Sequence, residues 1–234
     1  MRLPTHLLTI DFETFWSADY TLKKLSCEEY VRGPRFQAFG ASVKYGDEPA
    51  RWLHAHELPA FFARVPWDDT AVLGQNTQFD GLILAHHYKV RPAMWLDTLS
   101  MSRALYPRAR HSLAALAEMH GLPPKGNAIN ATKGKRLEEL TPQELFELGV
   151  YSCHDGDLTK GVFDRMMPRF PLPELALIDQ TIRLFVEPRL RLDKPRARKL
   201  LASVIRNKRS ALRRLGVTKT QLSSAEQGSL ILED

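Results

Sequence analysis

The chain has 234 residues, 44% of them hydrophobic and 26% charged, with two cysteines and a formal net charge of +6. That is enough apolar material for one large domain, or one domain with an appendage. Two cysteines, Cys27 and Cys153, exclude a disulfide framework and a zinc site and point to a reducing compartment, the cytoplasm by default. There is no basic-then-apolar leader and no run near the ~18 apolar residues of a membrane span, so no membrane contact is expected.

In chain order, HLLTIDFETF, FQAFGASVKYG and ARWLH read as strands, followed by a helix through residues 57–64. AVLGQN, residues 71–76, is a short buried strand that hands over to a helix in FDGLILAHHYKV. Asp97 opens a helix through Tyr106, and Ser112 caps LAALAEMH, which stops at Gly121 before Pro123 and Pro124. PPKGNAINATKGKR reads as a loop. Thr141, Pro142 and Glu144 form a helix-start signature for a helix from 142 to about 166, halted by Pro168. Past the joint PRFPLPE come a helix in LALIDQTIRLF, an extended EPRLRLD and a long basic helix from Pro195 to about Leu215. The tail SSAEQGSLILED shows no pattern. Strands alternating with helices define an α/β body over residues 1–170, and residues 171–234 are expected to form a helical arm.

Charge is unevenly spread. Between residues 187 and 214, eleven Lys or Arg face two acids, so a mildly acidic body carries a basic arm. A polyanionic partner such as nucleic acid and a solvated helix face account for this equally well.

In the first strand, residues two apart share a face. Thr9, Asp11 and Glu13 lie on one side, and Leu8, Ile10 and Phe12 on the other. The apolar side can pack, whereas two adjacent acids repel unless a cation or shared proton compensates. Asp80 stands at the start of a helix, where the dipole favours its charge. Tyr151 and Asp155, at i and i+4, share a face of the 142–166 helix. Four carboxylates on three elements fit a pair of Mg²⁺ or Mn²⁺ ions, hard cations that take carboxylate oxygens.

The DFE of 11–13, the N-x-x-F-D of Asn76 to Asp80 and the Y-x-x-x-D of Tyr151 to Asp155 resemble the three motifs of the DEDD exonuclease superfamily, tyrosine subclass. GQNTQFDGLIL, the DTL of 97–99, HSLAALAEMHGL and YSCHDGDLT extend the likeness over most of residues 7–165 to the proofreading domain of family A DNA polymerases, bacteriophage ones in particular. EPRLRLD and the basic helix resemble the lead-in to a polymerase domain.

The resemblance implies a ribonuclease-H-like mixed five-stranded sheet with DFE on its central strand. It implies two-metal 3′-to-5′ hydrolysis of DNA, with nucleoside 5′-monophosphates as product. Asp11, Glu13 and Asp155 would hold the tighter ion, Asp11 would bridge to the second, Asp80 would act on that second ion, and Tyr151 would orient water. The implied partners are single-stranded or frayed DNA 3′ ends and a separately encoded DNA polymerase, in the host cytoplasm if the gene is a phage's. The chain ends before a polymerase palm, as either a stand-alone exonuclease or a fragment would. An RNase-D-like RNA exonuclease shares the same four acids and tyrosine, and the 2′-OH separates the two substrates. A silent DNA-binding module is disfavoured because all four acids are present.

Other residues near the motifs have plainer readings. The histidine subclass needs His five positions before the last acid, where Val150 stands; His154 lies on another helical face, and Asp157 points away from the cleft. Asn76 and Gln75 either contact the terminal nucleotide or close their loop. Phe12 and Phe79 read as core, and Phe15 or Trp16 as exposed enough to stack on a base.

Overall fold

The computed structural model describes residues 3–126 and 130–223. Residues 127–129 of the expected loop and the patternless tail 224–234 lie outside the described residues.

Strand β1 (His6–Thr14) buries Leu8, Ile10 and Phe12 and holds Asp11 and Glu13, on its other face, half-buried, as its alternation dictates. Helix α1 (Cys27–Arg32) follows, started by a capping box of Ser26 and Glu29. Strands β2 (Ala38–Tyr45) and β3 (Arg51–His54) form a meander, and α2 (Leu58–Phe62) leads to β4 (Thr70–Gly74). Helix α3 (Thr77–His87) returns the chain to β5 (Met94–Asp97), then α4 (Thr98–Leu105) and α5 (Leu113–Met119). Helix α6 (Pro142–Met166) starts at the Thr141–Glu144 capping box; α7 (Leu172–Val186), α8 (Lys194–Arg214) and α9 (Lys219–Ser223) complete the described chain.

The sheet order is β3-β2-β1-β4-β5, antiparallel through β3, β2 and β1 and parallel through β1, β4 and β5. The acidic strand is therefore central, as expected. The fifth strand, MWLD, carries no alternation for the eye to find, because both its faces are buried.

Side chains alternate between two cores. Val72 and Trp95 join Leu8, Ile10 and Phe12 beneath α3, with Ile182 and Val186 of α7. Ala71, Leu73, Met94 and Leu96 pack on the other face against Met101 of α4, Leu116 of α5 and Leu158, Val162 and Met166 of α6. Helices thus cover both faces of a mixed five-stranded sheet.

The boundary expected near residue 170 is displaced. The compact body extends to Pro188, and residues 189–234 form a second unit. PRFPLPE is not a linker. Phe170 is buried, and Pro171 to Pro173 begin α7, whose Leu175, Ile182 and Val186 are 0%, 2% and 4% exposed. Asp179 of α7 accepts the Trp95 amide at 2.7 Å, and Arg183 donates to the carbonyls of Pro92 and Ala93 at 2.9 and 2.8 Å. These bonds fasten α7 along the β5 edge, and the first of them pairs the Trp95 amide.

In the second unit, Asp193 caps α8 by accepting from the Arg196 amide at 3.0 Å. No α8 residue is buried, and Leu200, Leu201, Val204 and Ile205 are exposed along one stripe. Among the described residues no helix is long and apolar enough to cross a membrane.

Candidate active site

The carboxylates of β1 emerge where the strand stops being regular. The β1–β2 register shifts between Glu13 and Thr14, an irregularity of the kind that re-aims a side chain at a site. Helix α6 comes down close to the strands here because it carries glycines at the contacts. A Cβ at Gly149 would lie 2.8 Å from Cγ of Trp52, and one at Gly156 would lie 3.1 Å from the Ser42 hydroxyl. The close approach lets the buried Ser152 donate from Oγ to the Asp11 carbonyl at 3.2 Å and to Asp11 Oδ2 at 3.4 Å. Asp155, one turn on from Tyr151, is delivered to the same region and is 6% exposed.

Asp80 arrives from the opposite side. It is 3% exposed, and its Oδ1 accepts the Phe12 amide of β1 at 2.9 Å. The turn that sets it there is fixed by Asp97, the helix opener that also begins the DTL of 97–99. Its Oδ1 accepts the amides of Asn76 at 2.7 Å and Thr77 at 3.1 Å, while Oδ2 caps α4 through Ser100. Asn76 itself takes a left-handed conformation, φ 71°, which asparagine tolerates better than most residues.

The four acids influence one another. Burial and the neighbouring Asp155 charge push Asp11 up to about 7, with Lys125 and Ser152 opposing. Burial, then Asp11 and Asp155, hold Glu13 well above the usual carboxylate range. Asp80 is raised by burial and then by Asp11, against the Phe12 hydrogen bond. Like charges gathered in a poorly hydrated site are the setting in which cations are taken up. The Tyr151 phenol is also pushed above its ordinary value, first by burial. A phenol that holds its proton this firmly is not a base at neutral pH and serves as a hydrogen-bonding group.

Among the described residues no three His, Cys, Asp or Glu side chains close on one point as a finished metal site. Three of the acids are held by protein donors instead: Asp80 by Phe12, Asp11 by Ser152, and Asp155 Oδ2 by Lys125. The donor set nevertheless fits hard divalent cations, being carboxylate oxygen throughout. Asp155 Oδ1 is buried without a hydrogen-bond partner, an oxygen whose burial is unfavourable until a cation or donor reaches it.

Lys125 had no sequence signal, since it stands in a loop thirty positions before its partner. Its ammonium group pairs with Asp155 and lies 4.8 Å from the centroid of the Tyr151 ring. Burial works against its charge, but Asp155 and Tyr151 more than offset this, and its pKa is raised.

The candidate substrate contacts fare unevenly. Phe15, expected to be exposed, is 4% exposed and sandwiched in the core, with the Arg136 guanidinium 4.0 Å from its ring centroid. The strand's irregular end turns it inward beside Tyr20, so it is not placed to stack on a base. Gln75 closes its loop: its amide donates to the His111 carbonyl at 2.8 Å, and its Oε1 accepts from Thr98. Asn76 is exposed and Trp16 half-buried, with Lys133 5.6 Å from the Trp16 ring centroid. Asp157 faces Lys44 at 2.9 Å, away from the acids, as expected.

No protein-family model matches the chain. It is 23% identical over 202 residues to a DNA polymerase of Bacillus phage SP02, a likeness covering 75% of this chain and 30% of the polymerase. The chain thus spans less than a third of that relative's length. Among solved structures it is similar to Trypanosoma brucei RNase D at 12% identity and a TM-score of 0.58, over 77% of this chain and 65% of that one. It is also similar to Brucella melitensis NrnC bound to pGG, at 15% identity and a TM-score of 0.52, over 77% and 81% of the two chains. The fold is that of ribonuclease-H-like nucleases.

Proposed function

We propose that this chain is a metal-dependent 3′-to-5′ DNA exonuclease of the proofreading type, in the tyrosine subclass of the DEDD superfamily. The observation that carries the reading is the meeting of Asp11, Glu13, Asp80 and Asp155 as mutually repelling carboxylates, with the Tyr151 phenol beside them. Two Mg²⁺ or Mn²⁺ ions, when bound, would activate water and offset the charge that develops in phosphodiester hydrolysis. Asp11, Glu13 and Asp155 would hold one ion, and Asp80 together with Asp11 would serve the other. Tyr151 would orient the attacking water, and the exposed Asn76 would contact the terminal nucleotide. The basic unit after Pro188 binds the DNA backbone. The likeness to a phage DNA polymerase supports DNA as substrate and a DNA polymerase as working partner.

A second reading, a 3′ RNA exonuclease, is favoured by the likeness to RNase D. Matched 5′-labelled DNA and RNA single strands, incubated with Mg²⁺ and with chelator, decide between them. Stepwise shortening from the 3′ end, dependent on metal and faster on DNA, is expected. A faster RNA ladder establishes the second reading, and internal cuts or metal-independent cleavage overturn both.

A further inference from the structure

The segment from Leu122 to Lys125 is strapped along α6. Leu122 fills the space above Gly161, where a Cβ would lie 3.1 Å from its Cδ1. The Pro124 carbonyl sits 2.9 Å from His154 Nε2. A carbonyl can only accept, so that nitrogen donates. Lys125 then reaches Asp155 and overlies Tyr151, two side chains on the helix face beside His154. Three successive contacts thus fix a single ammonium group on Asp155, the one acid among the described residues with a buried carboxylate oxygen that has no hydrogen-bond partner.

We infer that Lys125 is the site's own counter-ion. It holds the Asp155 carboxylate in the metal-free protein, competes with divalent cations for it, and is kept on station by His154 through the Pro124 carbonyl. The inference rests on the metal-dependent reading above and adds to it a residue that sets how tightly metal is held. The physical argument is one of charge. An ammonium group among carboxylates stabilises them while no metal is present, and opposes an arriving dication both by repulsion and by occupying a ligand oxygen. His154 is a positioning residue, which explains a histidine next to the last acid that has no place in the tyrosine-subclass chemistry.

Mn²⁺ binding to the full chain, measured by titration calorimetry together with metal-free thermal unfolding, tests this. Lys125→Met keeps the length of the stem and removes the charge. It should bind Mn²⁺ ~10-fold or more tightly than the native protein while its metal-free form melts lower. Lys125→Arg should stay closer to native on both readouts. His154→Ala should shift Mn²⁺ affinity in the same direction by less, and should add nothing in the Lys125→Met background. This variant also reads the coupling if Lys125→Met does not fold. Equal Mn²⁺ affinity in native protein and folded Lys125→Met, with Asp155→Ala abolishing binding, overturns the counter-ion and leaves the metal site standing. Absence of Mn²⁺ binding to the native protein overturns both. A His154→Ala effect of undiminished size in Lys125→Met overturns the strap.

Discussion

The body through Pro188 and the unit after it handle charge in opposite ways. In the body, several buried or half-buried charged groups have partners of opposite sign: Lys160 pairs with Asp47 and Asp164, Asp179 with Arg183, and Asp155 with Lys125. In α8 the cations are exposed and outnumber acids, and the apolar side chains among them are exposed as well. A buried charge must be paired to be tolerated, whereas an exposed row of cations costs the fold little and attracts polyanions from a distance. On the proposed function, the first region would carry the chemistry and the second the affinity for the DNA backbone.

The strongest way to break this assignment is at the acids. Asp11→Ala and Asp155→Ala should each lower nuclease turnover by ~10³-fold or more, and Tyr151→Phe by less, since it removes an orienting bond and leaves every carboxylate in place. Single-turnover rates at saturating Mg²⁺ measure this. A Tyr151→Phe protein as inactive as Asp155→Ala would give the phenol more than an orienting role. The two acid variants should differ in stability. Asp11→Ala relieves repulsion and should melt at or above native, while Asp155→Ala strands Lys125 and gains less.

A smaller effect is expected at the junction of the two regions. A chain ending at Pro188 should keep its melting temperature and its turnover on saturating DNA, yet bind DNA about tenfold more weakly, with a flatter dependence of log affinity on log salt. Ending the chain at Arg169 instead removes Leu175, Ile182 and Val186 from the cores, losses of ~2–5 kcal/mol apiece at fully buried positions, and should leave it unfolded by circular dichroism. Equal salt slopes in the native and Pro188-ended proteins would detach the basic unit from DNA.

The smallest effect is in pH. Asp11 titrates near 7 in the folded protein and near the usual 3.8 when unfolded. The folded state therefore binds the extra proton between about pH 4 and 7, and that contribution to stability is present below this window and lost as pH rises through it. The metal-free melting temperature should drift down by a few degrees from pH 5 to 7.5, a slope that Asp11→Asn flattens. Mn²⁺ affinity should rise over the same range, because ligation needs the ionised carboxylate.

Much of this molecule was legible before folding was considered. The 142–166 helix announced its start at Thr141 and Glu144, and the strand pattern put Asp11 and Glu13 on one face because a period of two leaves no alternative. Helix α1 carries the same kind of start signal in Ser26 and Glu29. The fifth strand was not legible, because four residues buried on both faces carry no periodicity. Phe15 turns inward against the sequence expectation for a related reason: one residue past the irregular end of β1, strand alternation no longer says which way a side chain turns.

What the sequence determined by itself is whatever depends on neighbours a few positions apart: caps, alternation, the i and i+4 pairing of Tyr151 with Asp155, and the excess of cations after residue 187. Only the tertiary structure decided that α7 belongs to the body, since Asp179 meets the Trp95 amide across 84 residues of chain. The meeting of Lys125 with Asp155 is a decision of the same kind. A loop lysine has no local signature, and its charge acquires a role only when helix, strand and loop have packed a carboxylate beneath it.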